Sequence, residues 1–184
     1  MSGGPVSCER RLFCGLTRIR RGTTIVRPVA STRIGWHVKA PRATVYRLLL
    51  DPDAVAAWQV PTGMTSEVHE FDPREGGTFR ISLTYDEPTD TGKTTAQTDT
   101  FHGRFMRLVP DEQVVQIVEF ETDDPSVTGE MTITIDLVDA DGGTQINAVH
   151  DGLPEGVPLD QNELGWSISL GKLATLAETG ELPS

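Results

Sequence analysis

The chain has 184 residues, enough for one domain with a sizeable core, and a formal net charge of -11 with hydrophobic content of 37%. That acidity repels phosphate backbones and excludes nucleic acid as a partner of the main domain. No apolar run approaches the roughly 18 residues that span a bilayer, so no membrane partner is expected either.

Residues 1–33 carry seven arginines against the single acid Glu9, whereas the rest holds nine Lys/Arg against 26 Asp/Glu. Residues 1–31 accordingly read as a basic, disordered N-terminal tail. The alternative is an Arg-rich targeting helix with Leu12, Phe13, Leu16 and Ile19 on one face. Cys8 and Cys14 both fall in this tail. The remainder has neither a disulfide framework nor a thiolate nucleophile, which fits a reducing compartment, the cytoplasm.

From Thr32 the pattern becomes regular. Ile34, Trp36 and Val38 alternate on one face of a strand that Pro41 ends. Pro41 then suits the first turn of a helix whose stripe is Val45, Leu48 and Leu49. Asp51-Pro52-Asp53 breaks that helix, and 54–58 forms a second short one. A short strand at 67–71 leads through a turn at Gly76-Gly77 into Phe79, Ile81, Leu83 and Tyr85, which keep a two-residue period. Gly76-Gly77 precedes a strand and lacks a following Lys-Ser/Thr, so it is a tight turn or bulge and not a phosphate loop.

After a polar loop at 87–92, strands at about 97–109 and 113–121 meet at Pro110-Asp111-Glu112. Met131, Ile133, Ile135 and Leu137 alternate in the next strand, and Asp141-Gly142-Gly143 turns the chain into a strand at 144–151. A final helix runs from about 159 to 179 with Trp166, Leu170, Leu173 and Ala174 on its apolar face. The order of elements gives an α+β domain, with one antiparallel sheet packed on one long helix.

These landmarks carry a resemblance. Val38-Lys39-Ala40-Pro41, Asp51-Pro52 with Trp58, Gly76-Gly77-Thr78-Phe79-Arg80, Gly103-Arg104-Phe105, His150-Asp151-Gly152-Leu153 and Gly165-Trp166 stand in the order and spacing of one family. Over residues 32–178 the chain resembles the activator of heat-shock protein 90 ATPase homologue-like family, in the START-like (SRPBCC, Bet v 1-like) helix-grip superfamily. The resemblance implies a single domain over 32–180, with a curved sheet gripping the C-terminal helix around an apolar ligand cavity. It carries no catalytic signature. The co-chaperone that names the family has a further N-terminal chaperone-binding domain for which this chain has no room.

Trp58, Met64, Phe79, Phe101, Phe105 and Trp166 are the large residues expected to line such a cavity, since rings offer apolar area and stack on flat ligands. His150 follows Ile146 and Ala148 in period two and is expected to face inward at a strand end. There it either orients a ligand, acts as a general base, or fixes the turn at Gly152. His102 is expected to face outward. Glu119 and Glu121 share a strand face, read as a solvated one.

His37, His69, His102 and His150 stand alone, so no metal site and no cofactor are expected. No serine has a nucleophile-elbow context or a histidine at a recognisable spacing. The expected role is a domain binding a hydrophobic or aromatic small molecule. The alternatives are a cyclase- or hydrolase-like enzyme using His150, and a chaperone-interaction module. No catalytic residue is assigned.

Overall fold

The computed structural model describes residues 30–87 and 92–181. The expectations placed on residues 1–29 lie outside the described residues. The described chain forms β1 (Ser31–Val38), α1 (Arg42–Leu49), α2 (Pro52–Trp58), β2 (Met64–Phe71) and β3 (Thr78–Tyr85). It continues with β4 (Thr98–Val109), β5 (Gln113–Phe120), β6 (Met131–Ala140), β7 (Gly143–Asp151) and α3 (Leu159–Thr179).

The strands form one seven-stranded sheet in the order β1-β7-β6-β5-β4-β3-β2. Every neighbouring pair is antiparallel. The sheet curves around α3, as an α+β helix-grip fold does. Period two sets its inner face: Phe79 and Ile81 on β3, Phe101 and Phe105 on β4, Met131, Ile133, Ile135 and Leu137 on β6, and Ile146 and Ala148 on β7 are buried. Each fully buried Ile, Leu or Phe contributes about 1.5–3 kcal/mol of transfer free energy, so this alternation fixes the register.

Several boundaries shift from the sequence expectation, and three of the shifts have a clear cause. β1 begins at Ser31, because it pairs with β7 to its end and the Ala30 carbonyl accepts from both Gly152 and Leu153. α2 begins at Pro52, because the Asp51 carboxylate caps it by accepting from the N–H groups of Asp53 and Ala54, each at 3.0 Å. β2 begins at Met64, three residues before the apolar alternation becomes visible, because β3 offers a pairing edge out to Tyr85.

Curvature comes from specific places. Gly76 takes φ +79°, a left-handed backbone suited to glycine. Its N–H donates to the Phe105 carbonyl, and the Phe105 N–H donates to Gly77. β4 bulges between Phe105 and Arg107, directly after this docking point.

The two halves of α3 have different surroundings. In the C-terminal half Leu170, Leu173 and Ala174 are buried, and Gly171 lets Trp36 of β1 lie close to the helix backbone. Lys172 Nζ donates to the Val60 carbonyl at 2.7 Å, and the Glu178 carboxylate accepts from the Lys39 N–H at 2.8 Å. The N-terminal half meets the sheet through Asn162, which bonds Thr32 of β1 and His150 of β7. There Leu164 is 62% exposed.

Candidate functional site

The space under the N-terminal half of α3 is a cavity of about 340 Å³. Its floor is the inner face of β3 to β7, with Leu83, Phe101, Phe120, Met131, Ile133 and His150. Its roof is α3, with Asn162, Gly165, Trp166 and Ser169, and the segment at 59–62 forms one wall. The lining is mainly apolar, so a ligand here is held by area, and a few polar groups orient it.

The structure separates the seven expected site residues. Met64, Phe101, His150 and Trp166 come together around the cavity. Trp58, Phe79 and Phe105 lie elsewhere. Phe71, Phe79 and Phe105 pack as a cluster with ring centroids 5.2–6.3 Å apart, filling the core beneath α2. Trp58 is buried beside Phe79 at a void of about 10 Å³, and its indole N–H donates to the Leu48 carbonyl at 3.1 Å. These three rings fill volume because α2 comes down on that end of the sheet.

His150 is buried at the end of β7. It does not hydrogen-bond the turn at Gly152. Its Nδ1 accepts from Asn162 Nδ2 on α3 at 3.1 Å, and Asn162 Oδ1 accepts from the Thr32 hydroxyl at 2.8 Å. Its Nε2 is buried without a hydrogen-bond partner. The ring meets Trp166 edge-on, with centroids 6.0 Å apart. Burial pushes the imidazole pKa down to about 4, against smaller upward effects of the Asn162 hydrogen bond and the Asp151 charge. The ring is therefore neutral at physiological pH.

A second polar group lies at the cavity wall. Asp99 on β4 is buried and accepts from Lys93 Nζ at 2.5 Å, and Lys93 Nζ also stands 5.2 Å from the centre of the Phe120 ring. Such a pair holds its geometry because breaking it would leave a buried charge. Sequence reading missed Asn162, Asp99 and Phe120. Asn162 is four residues before Trp166 and so shares its helix face, and Asp99 shares period two with Phe101; both signals were available.

The outer face of the sheet carries a polar cluster. Glu121 receives Arg80 Nε and Nη2, each at 2.8 Å, and this pairing holds its carboxyl below the usual range. Glu119 accepts from the Gly129 N–H, and His102 is exposed beside Glu121. Ser82 Oγ lies 2.8 Å from His69 Nε2, with Glu67 3.5 Å from His69 Nδ1, a proximity the sequence spacing did not reveal. That row has the order of a hydrolytic triad, but none of its three residues lines a described cavity. No group of three His, Cys, Asp or Glu suited to a metal occurs among the described residues. No described helix is long and apolar enough to cross a membrane.

The family model described as activator of Hsp90 ATPase homolog 1-like protein matches residues 39–178. No curated protein matches the chain. Among solved structures, the chain is similar to protein CV1439 from Chromobacterium violaceum, with 34% identity and a TM-score of 0.72 over 80% of this chain and 96% of that one. It shares its fold with protein Ms6760 from Mycobacterium smegmatis, at 16% identity and a TM-score of 0.65 over 83% and 98% of the two chains. The Aha1 dimer from Colwellia psychrerythraea also has this fold, at 17% identity and a TM-score of 0.58 over 83% and 98%. With a family match over most of its length and a sheet that grips its last helix, the chain belongs to the activator of Hsp90 ATPase homologue 1-like family of the START-like superfamily.

Proposed function

We propose that the domain binds a hydrophobic or aromatic small molecule between the sheet and the N-terminal half of α3. The observation that carries this role is the cavity of about 340 Å³, lined by Met64, Phe101, Phe120, Met131, Ile133 and Trp166. Its size falls within the range of about 300–1,000 Å³ usual for small-molecule sites. The buried polar groups at its edge, His150–Asn162 and Lys93–Asp99, are few and fixed by hydrogen bonds, as orienting groups are.

Enzymatic use of His150 as a general base at neutral pH has less support. The lone pair of Nδ1 is already taken by Asn162, and burial holds the ring's pKa near 4. Docking on a chaperone is a second role, supported by the family relation and by the exposed side chains of Leu159 and Leu164 on α3. A cytoplasmic location belongs to the same proposal, supported by the absence of cysteine after Cys14.

N-phenyl-1-naphthylamine, a neutral apolar fluorophore, tests binding directly. Bound in the cavity it brightens and takes energy from Trp166. Absence of any fluorescence gain, together with an unmoved melting temperature and no small molecule retained in native mass spectrometry, overturns the ligand-binding role. Stimulation of a chaperone ATPase by a protein that binds no probe favours the second role.

A further inference from the structure

We infer that His150 is a fixed hydrogen-bond donor to the bound molecule, so that the ligand class is an apolar, ring-bearing compound with an uncharged acceptor such as a ketone, ester or ring nitrogen. This rests on the cavity being a ligand site. It starts from the hydrogen-bond chain that crosses from β1 to α3 to β7. The Thr32 hydroxyl is buried and donates to Asn162 Oδ1 at 2.8 Å, and it makes no other side-chain hydrogen bond among the described residues. Turned the other way, the Asn162 amide would leave that hydroxyl hydrogen without an acceptor. Asn162 therefore presents Nδ2–H to His150 Nδ1, at 3.1 Å.

A neutral imidazole carries one proton, and Nδ1 is the acceptor. The proton is on Nε2. That N–H is unpartnered and closed off from the cavity, in a residue that is 6% exposed and lines it, so a ligand acceptor meets the donor through a small shift of the neighbouring side chains. Buried donors without partners are rare in folded proteins, because the lost water is not replaced. Here the partner is supplied by the ligand. Trp166, edge-on to the same ring, and Met131 and Ile133 around it give the acceptor an apolar frame.

The charge of the ligand follows from the same surroundings. A carboxylate placed against a neutral imidazole among apolar side chains keeps most of its desolvation cost. A carbonyl oxygen needs only one donor and loses far less on burial. Asn162 is a positioning residue, acting through the tautomer it imposes on His150.

A matched probe pair tests this. Tetralin and 1-tetralone differ by one carbonyl and compete with N-phenyl-1-naphthylamine for the cavity. In the wild-type protein, relative to a His150→Phe variant, the ketone-to-hydrocarbon affinity ratio is expected to be about tenfold higher, the weight of one neutral hydrogen bond. An unchanged ratio overturns the donor role and leaves the cavity role standing. If neither compound displaces the fluorophore and the fluorophore itself does not bind, the cavity role fails, and this inference with it.

Two wild-type measurements make the outcome independent of whether the variant folds. The carbonyl stretch of bound 1-tetralone is expected below its value in alkane solvent, and nitrogen NMR is expected to place the His150 proton on Nε2. A carbonyl stretch at the alkane value, or a proton on Nδ1, overturns the inference.

Discussion

The depressed pKa of His150 makes stability depend on pH in a window where few other groups act. In the unfolded chain a histidine titrates near 6.5; in the folded protein burial lowers this one to about 4. Between those values the unfolded state binds a proton that the folded state refuses. Stability is therefore full above about pH 6.5 and falls as the pH drops towards 4. Linkage with these two pKa values gives a loss of about 1.4 kcal/mol at pH 5.5 and about 2.5 kcal/mol at pH 4.5, relative to pH 7.5. Glu121, Asp124 and Glu130, whose pKa values are lowered by Arg80, Ser126 and Arg104 respectively, lose their contributions at lower pH, as they become protonated.

Urea unfolding at pH 7.5, 5.5 and 4.5 measures the effect, with His150→Phe as the control. The variant is expected to be flatter by about 2.5 kcal/mol over this range, whatever its absolute stability. Equal slopes for the two proteins would refute the assignment of a buried, neutral His150. A flat profile in the wild type would do the same.

Gly103 sits where an added Cβ would come 2.2 Å from the Ile117 carbonyl oxygen and 2.5 Å from Phe79 Cζ. Gly103→Ala is expected to destabilise by about 2–4 kcal/mol, read as a lower urea midpoint; a change under 0.5 kcal/mol would contradict the packing of Phe79 over β4. Gly165, by contrast, has open space around its Cβ position within α3 and lines the cavity. Gly165→Ala is expected to stabilise by about 0.5–1 kcal/mol in thermal unfolding, while Gly165→Phe occupies the cavity and abolishes probe binding. Trp58→Phe removes a buried hydrogen bond to Leu48 and should cost about 1–3 kcal/mol. Its probe affinity should be unchanged, since Trp58 lies outside the cavity lining; a tenfold loss would place Trp58 in the site.

Much of the fold was legible in the sequence because period two and period 3.6 report directly which face of an element is apolar. Phe79-Ile81-Leu83, Met131-Ile133-Ile135 and the stripe on α3 needed no further information, and the order of turns between them dictated an antiparallel sheet. Helix and strand starts were less legible. Asp51 as a cap and Met64 as a strand start depend on partners, a backbone N–H and an opposing strand, that lie outside the local pattern.

The candidate site divides along the same line. Sequence alone determined that Phe79, Phe101, Phe105 and His150 point to one side of the sheet, since alternation fixes direction. It did not determine which of them meet a cavity. That was decided by where α2 and α3 descend. α2 closes over Phe71 and Phe79 and makes them core with Phe105, whereas the first half of α3 touches the sheet at His150 and leaves space over Phe101 and Met131. Packing distance between elements is a property of two surfaces together, and no single segment encodes it. For the same reason the state of His150 is tertiary, fixed by Asn162 and Thr32 from two other elements.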